Sequence, residues 1–398
     1  MRYYRHLPQL LLTWALIAGC QKRLQPLEDR APGVRPDEVL IGMTAANSGY
    51  AAFLGSQTNV GVLTWLNEVN SKGGINGRRL KLVFRDDGYD PPRTAANVQA
   101  LLADDGVFAF IGFVGTPTSV KAISLIERGR VPTVGFFTGA ETLRNPKKTW
   151  AFHIRDSYYA ETEEAIAHFV DRLKLTRIAV LYQEDAFGQA VLSGVQLALQ
   201  RRKMQPIATA SFVRGAMAQE EPLKRLQTSS PEAYVMVGTY GPLARFVKLA
   251  CDSGHHPWFH TVSFVGSEAY AHEIVETQKV DRIEYSHILV TQVVPSPLGD
   301  EYPGVVEFRR QFAKYFPKEV PNYVALEGFV NAHVLTVGLQ RAGAKLDRDR
   351  LLTALESIVA LDIGIGQTIS YTKDKHVGLA GVFLSRLSDD ATFRTFRP

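Results

Sequence analysis

The sequence predicts an α/β protein of two doubly wound parallel-sheet lobes, and three observations predict it. Short apolar runs alternate with longer amphipathic ones from residue 39 onward, and the alternation restarts after a break that ends near residue 158. The roughly 360 residues beyond the N-terminal leader also exceed what one compact core usually holds. Strand and helix in strict alternation imply parallel strands with helices on both faces, because a parallel neighbour is reached only through a crossover.

The first unit reads as a strand over 39–44 and a helix over 57–71, with Val60, Leu63, Leu66 and Val69 on one face and Gly73-Gly74 at its end. A strand at 80–84, a helix at 93–103, a strand at 108–113, a helix at 118–128 and a strand at 131–136 follow. The second unit begins with a helix at 159–173, a strand at 177–182, a helix at 188–202 and a strand at 207–212. Segments 222–227, 233–238, 242–253 and 258–264 continue the pattern, and 288–294 closes it. Helices at 303–316, 323–342 and 348–358 come next, then β-like segments from Thr368 onward.

The N-terminus is a leader. Arg2 and Arg5 precede an almost wholly apolar run over 10–19, far short of the ~20 residues that span a bilayer, so 1–19 reads as a signal peptide. Its ending, Ile17-Ala18-Gly19-Cys20, resembles the lipobox of bacterial lipoproteins, which makes Cys20 the lipidated first residue of the mature chain. The alternative is an ordinary signal peptide cut nearby, with Cys20 a bystander. Residues 20–36, polar with three prolines and a glycine, suit a tether. The expected location is therefore the periplasm, anchored to a membrane by lipid. Gln21, where an Asp often retains Gram-negative lipoproteins at the inner membrane, points to the outer one.

Composition narrows function by exclusion. The chain is 45% hydrophobic and 21% charged, ordinary for a globular protein, and its net charge of +5 is small for 398 residues. No stripe of Lys and Arg interleaves with aromatics, so nucleic acid is not an expected partner. Cys251 is the only cysteine besides Cys20, so no disulfide is expected, and it reads as a small buried side chain on a helix. Asp86, Asp87 and Asp90 form an acidic cluster that leaves two readings, a metal site or a loop that shapes and caps the next helix. His255, His256 and His260 straddle a turn, and His272-Glu273 lacks the second histidine of a zincin. No G-x-S-x-G elbow, Walker loop or G-x-G-x-x-G after a strand is present, so neither a catalytic residue, a cofactor nor a metal is expected.

A more specific resemblance lies in a series of segments. Glu68-Val69-Asn70-Ser71-Lys72-Gly73-Gly74-Ile75-Asn76-Gly77-Arg78 and Arg85-Asp86-Asp87-Gly88-Tyr89-Asp90-Pro91 come first. Phe110-Ile111-Gly112, Val131-Pro132, Tyr182 to Gly188 and Val237-Gly238-Thr239-Tyr240 follow in order. Together they resemble the leucine/isoleucine/valine-binding protein family, from residue 39 to the C-terminus. That resemblance implies a type 1 periplasmic binding fold with three crossovers, near 153–157, 290–295 and 361–366. One lobe would then comprise 37–155 with 296–362, and the other 156–295 with 363–398. It also implies a non-enzymatic solute-binding component of an ABC importer, whose partners are a small-molecule ligand and a permease/ATPase complex. A ligand-sensing lipoprotein serving a signalling partner would use the same fold.

Candidate ligand residues sit in strand-end loops, where open parallel sheets leave a crevice lined by helix N-termini. Thr116 and then Thr118 match the family's carboxylate-holding segment; simple N-capping is the compatible alternative. Thr138 occupies the next strand end, with Phe136 and Phe137 before it as apolar walls or core. The second lobe contributes Phe187 and Tyr240, a later helix begins at Tyr323, and Leu54 comes from the first loop. Ser263 is an informative departure. Relatives that bind amino acids place a carboxylate near it for the ligand's ammonium, and here no Asp or Glu follows until Glu268. Burying an unpaired ammonium is costly, so the expected ligand is uncharged or carboxylate-bearing with an apolar or aromatic body, and branched-chain amino acids come second.

Overall fold

The computed structural model describes residues 31–396; the expected signal peptide and Cys20 lie outside the described residues. The alternation read from the sequence builds two sheets. In the first lobe, β1 (Glu38–Ala45), α1 (Ala52–Ser71), β2 (Arg79–Asp86), α2 (Pro91–Ala103), β3 (Ala109–Val114), α3 (Thr116–Gly129), β4 (Thr133–Phe137) and the short β5 (Ala151–Phe152) follow in chain order. The five strands lie in the order β2-β1-β3-β4-β5, every pair parallel.

The chain then enters the second lobe through α4 (Tyr158–Ile166), continued by a π-helical turn over Ala167–Arg172. Next come β6 (Ile178–Gln183), α5 (Ala186–Arg201), β7 (Ala208–Phe212), α6 (Glu220–Gln227) and β8 (Ala233–Val237). The lobe continues with α7 (Tyr240–Asp252), β9 (Trp258–Thr261), α8 (Ser267–His272) and β10 (Ile288–Gln292). Helices α9 (Pro303–Tyr315), α10 (Tyr323–Ala342) and α11 (Arg348–Glu356) return to the first lobe. A hairpin of β11 (Leu361–Asp362) and β12 (Thr368–Ile369) follows, and β13 (Phe383–Leu387) and β14 (Phe393–Phe396) complete the second sheet. Its order is β14-β13-β10-β9-β8-β6-β7, with β13 and β14 antiparallel. The strict alternation did not disclose that antiparallel edge, because a hairpin needs no helix between its strands.

Three passages between the lobes thus exist. Residues 361–366, where the third was expected, belong mostly to the hairpin. The chain runs beside the first crossover later, where Gly378 N donates to His153 O (2.9 Å) and Leu379 N to Ile154 O (2.8 Å). Residues 31–36, read as the end of the tether, lie against the first lobe: Val34 is buried and bridges Val39, and Leu40 N donates to Gly33 O at 2.8 Å.

Strand alternation decides which face of the first sheet meets what. Phe136 turns to one face and packs on Phe113 and His153, with centroids 5.6 and 5.0 Å away, so it belongs to the core and not to a cleft wall. Its neighbour Phe137 takes the opposite face. Helix α10 lies so close to α1 that a Cβ on Gly61 would sit 1.9 Å from Ala325 O.

Candidate ligand-binding site

At the end of β3 the chain turns through Gly115, whose φ of 97° no bulkier residue adopts readily. A Cβ there would also lie 2.1 Å from the ring of Tyr89. The turn opens α3 with Thr116, and its hydroxyl meets that of Thr138, just past β4, at 2.7 Å. Both side chains are buried. Two neighbouring parallel strands thereby bring residues 22 positions apart into one hydroxyl pair. Thr118 does not join them: its hydroxyl donates to the carbonyls of Val114 and Gly115, the local back-bonding expected of a threonine in a first turn.

Tyr158 opens α4 beside this pair, and its hydroxyl has no partner in hydrogen-bond geometry among the described residues. Burial pushes its pKa up to about 12, against the lowering effect of Arg155 and the two threonines. In the first crossover, Arg155 is buried and forms a bidentate pair with Glu327 of α10, Nε to Oε1 at 2.8 Å and Nη2 to Oε2 at 2.7 Å. Its guanidinium carbon lies 4.2 Å from the ring centroid of Phe137.

Across the cleft, Phe264 projects from the loop after β9. Its ring centroid is 4.5 Å from Phe187, 5.7 Å from Phe137 and 5.9 Å from Tyr89, so it joins aromatics of both lobes. Phe187 starts α5, where Asp185 caps the helix by accepting from the Phe187 and Gly188 N–H groups. The other Asp185 oxygen holds Arg214 at 2.9 Å, and Arg214 lies over the Tyr89 ring at 5.4 Å.

Ser263 is not without a carboxylate. Glu161, one turn into α4, accepts from Ser263 N at 2.7 Å, Ser263 Oγ at 3.0 Å and Thr291 Oγ1 at 2.8 Å. Burial drives the Glu161 pKa from its usual 4.5 up to about 7, partly offset by Arg155 and these donors. The local sequence around Ser263 lacks the charge, but the fold delivers one from a hundred residues away.

The remaining expected residues lie at the cleft margins. Leu54 packs towards Gly266, where a Cβ would be 2.7 Å from its Cδ2. Tyr240 meets Phe53 edge-on at 6.3 Å. Tyr323 sits at the start of α10 with its N–H donating to Glu268 across the lobes (3.0 Å), and its hydroxyl is turned away to Phe393 O at 3.2 Å. The structure therefore brings Thr116, Thr138, Phe137, Phe187 and Ser263 together, puts Leu54, Tyr240 and Tyr323 around them, and uses the Thr118 hydroxyl locally. Sequence reasoning missed Tyr89, Arg155, Tyr158, Glu161 and Phe264. Of these, Tyr89, Arg155 and Phe264 lay inside segments already singled out, whereas Glu161 carried no local signal.

The acidic and histidine clusters have ordinary partners. Asp90 caps α2 at Arg93 N (2.8 Å), and Asp87 accepts from Thr44, Tyr89 and Thr94. His255, His256 and His260 contact Pro231 O, Glu284 and Thr291 respectively. Among the described residues no group of three or more potential ligands could hold a metal ion.

Comparison with known proteins matches residues 38–392 to the model of a family described as periplasmic binding protein. This chain belongs to that family. The Leu/Ile/Val-binding protein homolog 3 of Brucella melitensis is 21% identical over 339 residues, covering 84% of this chain and 88% of the relative. An amino acid binding protein of Pseudomonas aeruginosa is 22% identical, and there the chain spans only 56% of the relative's length. Among solved structures, a possible leucine/isoleucine/valine-binding protein from Rhodopirellula baltica superposes with a TM-score of 0.85 at 29% identity, covering 91% of this chain and 96% of that one. A fatty acid ABC transporter substrate-binding protein from Thermomonospora curvata shares the fold at 18% identity and a TM-score of 0.81, covering 92% and 94% of the two chains. A Thermus thermophilus branched-chain amino acid transporter protein with bound valine does so at 17% and 0.78, covering 91% and 96%. The relatives are binding proteins, and membership implies an extracytoplasmic location. No helix among the described residues is long and apolar enough to cross a membrane.

Proposed function

We propose that this periplasmic binding protein captures a small organic solute between its lobes and delivers it to an ABC importer, while held to the membrane by lipid on Cys20. The observation that carries the reading is the buried Thr116–Thr138 hydroxyl pair, at adjacent strand ends of one lobe, beside Tyr158, whose ring meets Phe187 in an aromatic cluster that includes Phe264 and Phe137. Hydroxyls there suit an oxygen-bearing head group, and the rings suit an apolar or aromatic body. Branched-chain amino acids are the second reading. What favours them is the Glu161 carboxylate at Ser263, which could pair with an ammonium and which the sequence around Ser263 does not offer.

Calorimetry on refolded protein, stripped of copurified compounds, separates the two readings. Leucine binding that is lost on blocking its amino group and in Glu161→Gln selects the amino-acid reading. Desamino acids binding as well as leucine select the other. In either case bound ligand should reduce the radius of gyration in solution scattering, and at one hundred times the dissociation constant it should add about 2.7 kcal/mol of stability. Stabilisation without compaction would count against a two-lobe capture mechanism.

Anchoring has its own test. Cys20→Ser should abolish incorporation of a radioactive fatty acid while the mature body still folds. Equal labelling of both proteins would refute the lipid anchor.

A further inference from the structure

We propose that Arg155, in the first crossover, is a ligand anchor as well as a partner of Glu327. Its Nη1, together with the Tyr158 hydroxyl and the Thr116–Thr138 pair, takes a carboxylate, so the solute is an organic acid. The proposal rests on the solute-binding reading above and narrows its ligand class.

The geometry of the guanidinium is the starting point. A planar fork that engages Glu327 through Nε and Nη2 leaves the two N–H groups of Nη1 directed away from that carboxylate. Nη1 is buried and has no hydrogen-bond partner among the described residues, and the Arg155 side chain is only 1% exposed. An unpaired buried donor on a charged group is costly, and native structures rarely keep one without a reason. The neighbouring Arg144 shows the ordinary solution: its Nη1 donates to Arg155 O and its Nη2 to Thr138 O and Asp156 O, which leaves only Nε over.

Those same bonds place Arg155 next to Thr138, and Phe137 lies against the guanidinium face. Other unused hydroxyls gather around the pair. Tyr158 follows Arg155 by three residues, Ser119 lies one turn beyond Thr116, and Tyr89 packs across Gly115; the side-chain oxygen of each is buried without a hydrogen-bond partner among the described residues. Each of these hydroxyls can donate or accept, whereas the Nη1 N–H groups can only donate, so the ligand group set against them must accept. A carboxylate does so with two oxygens and about four lone-pair sites, whereas an amide head group brings two donors of its own.

Charges facing the anchor are mixed. Glu327 and Arg155 offset each other, Arg144 is positive, and Asp156 and Glu161 are negative, Glu161 being close enough to interact electrostatically with Arg155.

The test is titration calorimetry of the refolded chain with matched pairs: 4-methylpentanoate against 4-methylpentanamide, phenylacetate against phenylacetamide, and leucine against leucinamide. Each acid that binds should do so at least a hundredfold more tightly than its amide. The double variant Arg155→Met with Glu327→Met replaces the buried pair by apolar groups, and its melting temperature checks that it folds. It should lose that preference. Amides binding as tightly as acids, or a preference that survives in a folded double variant, would overturn the anchor and leave solute binding standing. If no member binds, mass spectrometry of what wild-type protein releases on unfolding decides. An organic anion supports the anchor, a neutral compound overturns it, and nothing released counts against solute binding and the anchor together.

Discussion

Glu327→Ala is expected to destabilise the ligand-free protein by about 3–5 kcal/mol, because it leaves the Arg155 guanidinium charged in an apolar interior. The two side chains are 1% and 3% exposed, so water cannot take over the lost bonds without opening the packing between the first crossover and α10. The pair is not itself a large source of stability, since the cost of desolvating both charges offsets most of their attraction. The Arg155→Met with Glu327→Met protein should therefore unfold much closer to wild type than Glu327→Ala does. Urea denaturation of the three proteins checks this. A single variant within about 1 kcal/mol of wild type would mean that Arg155 finds another partner, and the buried pair would lose its role.

Stability should also fall between about pH 4.5 and pH 7, and Glu161 should account for a separable part of the loss. Its folded pKa is raised, from 4.5 to about 7, with burial as the first cause. The sign follows from proton linkage: the folded state holds this proton more tightly than the unfolded chain does. The contribution is therefore fully present below pH 4.5 and is lost as pH rises through 7. Glu268, raised to about 7, and Asp87, raised to about 6, titrate in the same direction, so only the difference between wild type and variant isolates Glu161. Glu161→Gln keeps the shape and can keep its bonds: an amide oxygen accepts from Ser263 N and Thr291, and the Ser263 hydroxyl can rotate to accept from the amide nitrogen. At pH 8 the variant should exceed wild type by about 3 kcal/mol, an upper figure for a shift of this size, and at pH 4.5 the two should converge. A difference between the two that does not change with pH would show that Glu161 stays ionised throughout.

Such a charge, drawn from one element to another's loop, marks the limit of what the sequence discloses. The alternation of apolar runs determined by itself that the fold is α/β with parallel sheets, because the period of a strand and that of an amphipathic helix are local properties. The segment at 115–118 likewise announced a strand end opening a helix, and so Thr116 as a candidate; Thr138 followed from the next strand end. The sequence could not say that Phe136 and Phe137 part company, since which of two adjacent strand residues faces the cleft depends on what packs on each face. Nor could it disclose the antiparallel β13 and β14, which break the alternation rule at the sheet edge. Only tertiary structure decided the electrostatics of the site. Arg155 meets Glu327 from 172 positions away, and Ser263 meets Glu161 from 102. Electrostatic partners act through distance and burial rather than sequence separation, and both are set only when the two sheets and their crossovers close around them.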